Sequence, residues 1–148
     1  MVRPHDLGCI VKLYFGVENH HPDYYSSGHP NYVLNGKSTL DVAQELENRY
    51  GVMQKFFDEN KEFVAENVTA ALASRIGGGK SDFYDLEEVQ RSFRHALYTN
   101  QLETKIPNTP TKAAMLGVNS RLKRATGSKR PSFVDGGEYM ASFRAWIE

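Results

Sequence analysis

Apolar residues in this chain first recur with a period of two. Across residues 9–17, Cys9, Val11, Leu13, Phe15 and Val17 fall on one face, and Ile10, Lys12 and Tyr14 on the other. Alternation of this kind, rich in β-branched and aromatic residues, predicts a strand with one well-buried face. Residues 19–31 break the pattern with two prolines, three histidines and Ser26-Ser27-Gly28, and read as a loop. Tyr32-Val33-Leu34 predicts a short second strand, and Asn35-Gly36 is a turn signal. The period then becomes helical. Ser38 caps a helix, with Asp41 three positions on as a capping box. Leu40, Ala43, Leu46 and Tyr50 form its apolar face, and Gly51 stops it. Met53, Phe56 and Phe57 make an apolar cluster that the pattern assigns to no backbone state.

A longer helix is predicted over residues 58–75, with Val64, Val68, Ala71 and Leu72 at helical spacing. Acidic residues crowd its start, where the helix dipole favours them, and Gly77-Gly78-Gly79 ends it. A third helix begins near Asp85, where Glu88 completes a second capping-box pattern. Its stripe is Leu86, Val89, Phe93, Ala96 and Leu97. After Pro107, Thr109 is expected to cap a fourth helical segment with Pro110 at its first position, where a missing N–H costs nothing. Met115, Val118 and Leu122 would be its face, with Gly127 and Pro131 marking its end. Asp135-Gly136-Gly137 reads as a tight turn, and strict alternation over 139–148 predicts a terminal strand. The fold class expected from this order is α+β. A small antiparallel sheet of the N- and C-terminal strands packs on a long helix and shorter helices, in a single domain 1–148 with 1–8 and 19–31 as arm or loop.

Composition narrows the function classes. A chain of 148 residues buries enough surface to fold without disulfides or metals. Cys9 is the only cysteine, so neither an intrachain disulfide nor a cysteine zinc cluster can form. The start, Met1 to Asp6, is too polar for a signal peptide, and no run of 18 apolar residues offers a membrane span. Basic and acidic side chains number 18 each, for a net charge of zero. Zero charge removes the simplest case for a nucleic-acid binder and also removes a safeguard against association. The balance is uneven along the chain. Residues 1–79 hold 7 basic and 10 acidic side chains, and residues 80–148 hold 11 and 8. The two halves are therefore at −3 and +3.

Candidate chemistry is sparse. A Walker A loop needs a glycine five positions before the glycine of Gly-Lys-Ser. Asn31 stands there for Gly36-Lys37-Ser38, and Ser74 for Gly79-Lys80-Ser81, so both triplets fail. His20, His21, His29 and Asp23 share the first loop, but at no spacing that pre-orients metal ligands, and a solvated loop accounts for them. No Gly-x-Ser-x-Gly nucleophile motif occurs, and Cys9 sits in an apolar alternation where a thiol is inert. No catalytic residue and no cofactor are expected. The densest charge run is Arg121, Lys123, Arg124, Lys129 and Arg130. It suits phosphate contact, an exposed helix end, or an acidic neighbour in an assembly, and it lacks the interleaved aromatics of single-strand binders.

Three stretches carry a family resemblance. Tyr32 to Ala43 runs from a turn glycine, Gly36, into a helix ending Glu47-Asn48-Arg49-Tyr50-Gly51. Ile106-Pro107-Asn108-Thr109-Pro110-Thr111 is the second, and Arg130-Pro131-Ser132-Phe133-Val134-Asp135-Gly136-Gly137 the third. Their order resembles the bacteriophage tail-completion or neck family, the small proteins of the head–tail joint. There the helix ends in a Glu-aromatic-Gly pattern, the second stretch is Pro-Asn-x-Pro-x-Thr, and the third is Lys-Pro-Leu-Ile-Asp-Thr-Gly. A small helical turn and a serine-containing final strand follow, with Ser142 in the place of that serine. The matching positions are Gly36, Pro107, Pro110, Pro131, Asp135, Gly137 and Ser142. Gly136 replaces the family's threonine, Ser132 is an insertion after the proline, and residues 52–57 lack the family's Pro-Arg-Pro-Phe. The resemblance implies a non-enzymatic virion component assembled in the host cytoplasm. It implies a homo-oligomeric ring that meets other neck, connector or tail proteins, with non-specific contact with packaged DNA and no membrane or small-molecule substrate. A small nucleic-acid-binding module using residues 121–130 is the alternative.

Overall fold

In the computed structural model the described residues are 11–18, 37–79, 86–118, 125, 127–134 and 137–148. They form β1 (Leu13–Val17), α1 (Thr39–Tyr50), α2 (Val52–Glu59), α3 (Lys61–Ile76), α4 (Glu87–Tyr98), α5 (Lys112–Met115), α6 (Glu138–Ser142) and β2 (Phe143–Ile147). The architecture is α+β. β1 and β2, from opposite ends of the described chain, pair antiparallel with Leu13 against Ile147 and Val17 against Phe143.

Two short strands alone are marginal in water, so this sheet depends on a helical layer. The period-two pattern decides which face meets it. Leu13, Phe15 and Val17 turn inward, and Phe143, Ala145 and Ile147 are buried on the same side. Phe143 stacks on Phe93 of α4 with centroids 3.9 Å apart. Phe93 meets Phe56 of α2 edge-on at 5.2 Å, and Phe15 packs against Phe56, Phe57 and Phe143 at 5.7–6.4 Å. Phe56, Phe93 and Phe143 are fully buried. On the sheet's other face Tyr14 stacks on Trp146 at 5.4 Å. Trp146 also lies across Gly16, where a Cβ would come within 3.2 Å of its ring.

The first helix starts and stops where the sequence predicts. The Ser38 hydroxyl accepts from Asp41 N–H at 3.2 Å, and Asp41 accepts from Ser38 N–H at 2.8 Å. Gly51, at φ +59, occupies the left-handed region and turns the chain straight into α2. Ala43, Leu46 and Tyr50 of the predicted face meet the core, and only its first position differs. Thr39 and Ala43 are buried, while Leu40 is 39% exposed. The unassigned cluster Met53, Phe56 and Phe57 is a separate helix, and the Glu47 carboxylate accepts from the first free N–H groups of Met53 and Gln54 at 2.8 and 3.0 Å.

The predicted helix over 58–75 begins later, at Lys61. Asn60 separates α2 from α3, its N–H donating to Phe57 O and its amide to Phe56 O at 2.8 Å. Asp58 and Glu59 therefore sit at the C-terminal end of α2, the unfavourable pole for an acid. Lys61 offsets this at Asp58, and Lys55 and Lys105 at Glu59. The α4 stripe is buried as predicted from Leu86 to Leu97. Leu86 is its N-cap and carries no side-chain cap, while Asp85, with the predicted capping box, lies outside the described residues. So do Cys9, the histidine loop, the predicted strand at Tyr32-Val33-Leu34, and most of the Asp135-Gly136-Gly137 turn.

Two expectations are corrected. Thr109 does not cap the fourth helix. Its hydroxyl lies within bonding distance of the Ile106 and Glu103 carbonyls, and Thr111, in extended backbone, caps α5 by accepting from Ala114 N–H at 3.2 Å. That helix is a single turn burying Ala114. Met115 is exposed, and Gly117 at φ +61 leads into an isolated bridge between Val118 and Ala125. The terminal alternation is also shorter than predicted. Gly137 at φ +86 opens a helical turn closed by Ala141 N–H to Gly137 O at 2.8 Å, so α6 buries Tyr139 and Ser142, three positions apart, before β2 begins at Phe143.

Truncating the aromatic centre should be far costlier than truncating the exposed helix face. Phe93→Ala is expected to lose about 3–5 kcal/mol, Gly51→Ala about 1–2 kcal/mol because an L side chain is disfavoured at its positive φ, and Leu40→Ala under about 1 kcal/mol. Urea denaturation followed by circular dichroism measures all three.

Candidate functional site

Lys129 and Arg130, the described end of the charge run, and the second and third resemblance stretches meet at one place in the fold. Residues 99–111 wrap from the end of α4 to α5 as a series of turns anchored by buried Leu102 and Ile106. Between those anchors Glu103 turns inward and is only 7% exposed. A buried carboxylate needs partners, and it has them. The Ser132 hydroxyl donates to Glu103 Oε1, and Lys129 Nζ lies 3.6 Å from Oε2. The same Ser132 oxygen accepts from Thr111 N–H at 2.9 Å. A single hydroxyl thus joins residues 103, 111 and 132.

Arg130 secures the basic segment from below. Its guanidinium donates to the Val118 carbonyl at 2.8 and 3.2 Å, to Pro131 O at 3.1 Å and to Val134 O at 3.0 Å, and its N–H donates to Ala114 O at 3.1 Å. A planar fork with five donors suits such a cluster of carbonyls, and a lysine could not reproduce it. Gly127 N–H to Leu116 O at 3.4 Å and the Val118–Ala125 bridge draw the two limbs of the segment together. Of the five predicted cations, Lys129 is 57% exposed at its side chain and Arg130 is half-buried on backbone carbonyls. Arg121, Lys123 and Arg124 lie between the bridge partners in sequence, outside the described residues.

The first stretch reaches the same region. Tyr50, at the end of α1, meets Phe133 edge-on at 5.4 Å. Glu47 of that helix end also bears on Tyr139. Burial, with Glu47 adding, pushes the Tyr139 phenol well above the usual tyrosine range, and its hydroxyl has no hydrogen-bond partner among the described residues. Of the other resemblance positions, Pro131 O accepts from Val134 N–H at 3.3 Å in a turn, Gly137 starts α6, and the buried Ser142 donates to Tyr139 O at 3.2 Å. Ser142 ends the helical turn and lies just before the strand. Pro107 and Pro110 flank Thr109 in the wrapping segment, while Gly36 and Asp135 lie outside the described residues.

The sequence pattern marks Ser132 only as an insertion and does not mark Glu103. The signal for Glu103 is an acid bracketed by Leu102 and Ile106 in a segment without helical period. Ser132 stands where the chain departs from the family pattern. Among the described residues no three His, Cys, Asp or Glu side chains are grouped to hold a metal, and no helix is long and apolar enough to cross a membrane.

No family model, no curated protein and no solved structure matches this chain.

Two outcomes test the site's construction. Ser132→Ala leaves Glu103 and Thr111 N–H short of a partner in a buried setting, and should destabilise by about 1–3 kcal/mol in chemical denaturation. Lys105 tests how the wrapping segment is tied to α2. Hydrogen bonding first by Lys105, then by Lys55, holds the Glu59 carboxyl below its ordinary value. A depressed carboxyl stabilises above its unfolded pKa, and that contribution is lost as pH falls through the folded pKa. Lys105→Ala should therefore move the Glu59 titration upward toward the ordinary glutamate range, read by carboxyl-carbon NMR.

Proposed function

We propose that this chain is a non-enzymatic bacteriophage virion structural protein of the head–tail junction or tail end. It acts by closing into a homo-oligomeric ring between portal-side and tail-side partners. One observation supports this above the others. The three stretches that resemble the neck and tail-completion family are far apart in sequence, yet they converge through Tyr50 on Phe133 and Ser132 on Thr111. Residues that meet in space form a unit that can act together at a contact.

The basic segment is the proposed assembly or DNA-facing surface, with Arg121, Lys123, Arg124 and the exposed Lys129 as its proposed contact charges and Arg130 as its anchor. Two ion pairs join the acidic and basic halves within one subunit, Glu18 with Arg144 at 2.7 Å and Glu59 with Lys105.

Native mass spectrometry and cryo-EM of the full chain, alone and with virions, test the proposal. A closed ring or a density in the neck is expected, and a chain found only as monomers with no virion association overturns it. Reversing three charges together, Arg121→Glu, Lys123→Glu and Arg124→Glu, should abolish ring assembly while leaving the urea midpoint nearly unchanged. A nucleic-acid role for the same segment predicts that DNA affinity falls with salt at a slope of roughly −0.9 per phosphate contact. A slope near zero removes that role and leaves assembly.

A further inference from the structure

The two outer edges of the sheet are finished differently. Antiparallel pairs alternate between residues that bond to the partner strand and residues whose N–H and C=O point to the opposite edge. Lys12 and Glu148 exchange both backbone bonds at 2.9 Å, and Glu18 N–H donates to Ser142 O at 2.8 Å. The even-numbered residues at 12–18 therefore bond to β2, while Leu13, Phe15 and Val17 direct their backbone groups outward. On β2 the outward residues are Phe143, Ala145 and Ile147. All three of their carbonyls accept from side chains: Arg144 on Phe143 at 2.8 Å, Gln90 on Ala145 at 3.4 Å and Arg75 on Ile147 at 3.3 Å. Among the described residues no hydrogen bond reaches the outward groups of Leu13, Phe15 or Val17. An edge in that state is a template for another strand.

We propose that the β1 edge pairs with the β1 edge of a second copy of this chain, antiparallel about a two-fold axis at Phe15. In this register Phe15 faces Phe15 of the second copy and Leu13 faces its Val17. All three outward residues of each copy bond. The inward faces of both sheets also stay on one side, as a two-residue period requires. Lys12 then stands opposite Glu18 of the second copy at both ends of the contact. Shifting the axis by one residue either way opposes Lys12 to Gly16, or Glu18 to Tyr14, and leaves an outward residue beyond the short strand. The strand is thus charge-complementary to itself in the register that satisfies its edge. Glu18 already holds Arg144 at 2.7 and 2.9 Å, and a carboxylate with about four acceptor sites can add a lysine. Zero net charge removes long-range repulsion between copies. The contact is isologous and closes on two subunits, whereas a ring contact is head-to-tail, so either can fail without the other.

Zero-length carbodiimide cross-linking of the full chain, read by peptide mass spectrometry, should yield a Lys12–Glu18 isopeptide. Those residues lie about 20 Å apart on one strand at roughly 3.3 Å per residue, so the link can only join two chains. Sedimentation equilibrium should give a dimer that Lys12→Glu weakens about tenfold, since acids then oppose each other at both ends. Mixing the Lys12→Glu and Glu18→Lys chains should restore it, because each end again opposes a cation and an acid. A chain that is monomeric at every concentration overturns the proposal, as does a dimer without the Lys12–Glu18 link or one indifferent to both substitutions. Protection of the Leu13, Phe15 and Val17 amides that arises only on adding a different protein also overturns it.

Discussion

Stacking of Phe143 on Phe93 is the contact on which the remaining structure hangs. Two five-residue strands have too little surface to persist in water, and their hydrogen bonds gain little net free energy over those made to solvent. The aromatic chain from Phe15 through Phe143 and Phe93 to Phe56 removes four large rings from water and ties the sheet to both α4 and α2. Because β1 and β2 come from opposite ends of the described chain, this one cluster also closes the fold. Everything between the strands is then held as a loop anchored at a common base.

That closure explains why buried polar groups concentrate where they do. Gln90 on α4 is buried among apolar side chains and reaches the Ala145 carbonyl, and Arg75 at the end of α3 reaches Ile147. Both finish the β2 edge with side chains where no third strand lies among the described residues. On the far side, the irregular segments 99–111 and 127–134 have no ladder to satisfy their backbone. Ser132, Thr109 and Arg130 supply partners from side chains instead, and Glu103 holds Ser132 in turn. The same physical demand, that buried polar groups find partners, is served by helix side chains along the β2 edge and by a side-chain network in the irregular segments.

The network also gives the basic segment a firm footing. A run of like charges is ordinarily a solvated, entropic feature with no defined position. Here its described base is held by the Arg130 guanidinium on carbonyls and by the Val118–Ala125 bridge. A contact built on such a support loses less ordering entropy on association than one built on a free loop.

Much of the fold was legible in the residues because local chemistry dictated it. Ser38, Asp41 and Gly51 set the ends of α1, the spacing from Leu86 to Leu97 set the buried face of α4, and period-two alternation set the inward faces of both strands. These signals act over a few residues, so no distant partner is needed to read them. The failures have a shared cause, a competing pattern close by in sequence. The Thr109 hydroxyl takes the Ile106 and Glu103 carbonyls three and six residues back, Thr39 takes the buried place beside Leu40, and the turn begun at Gly137 claims Tyr139. The candidate site was legible only as separate pieces, a charge run and three short motifs. Tertiary structure alone brought Glu103, Thr111 and Ser132 together, because a buried carboxylate is stable only where the fold delivers donors to it, and nothing local in any of the three segments specifies the other two.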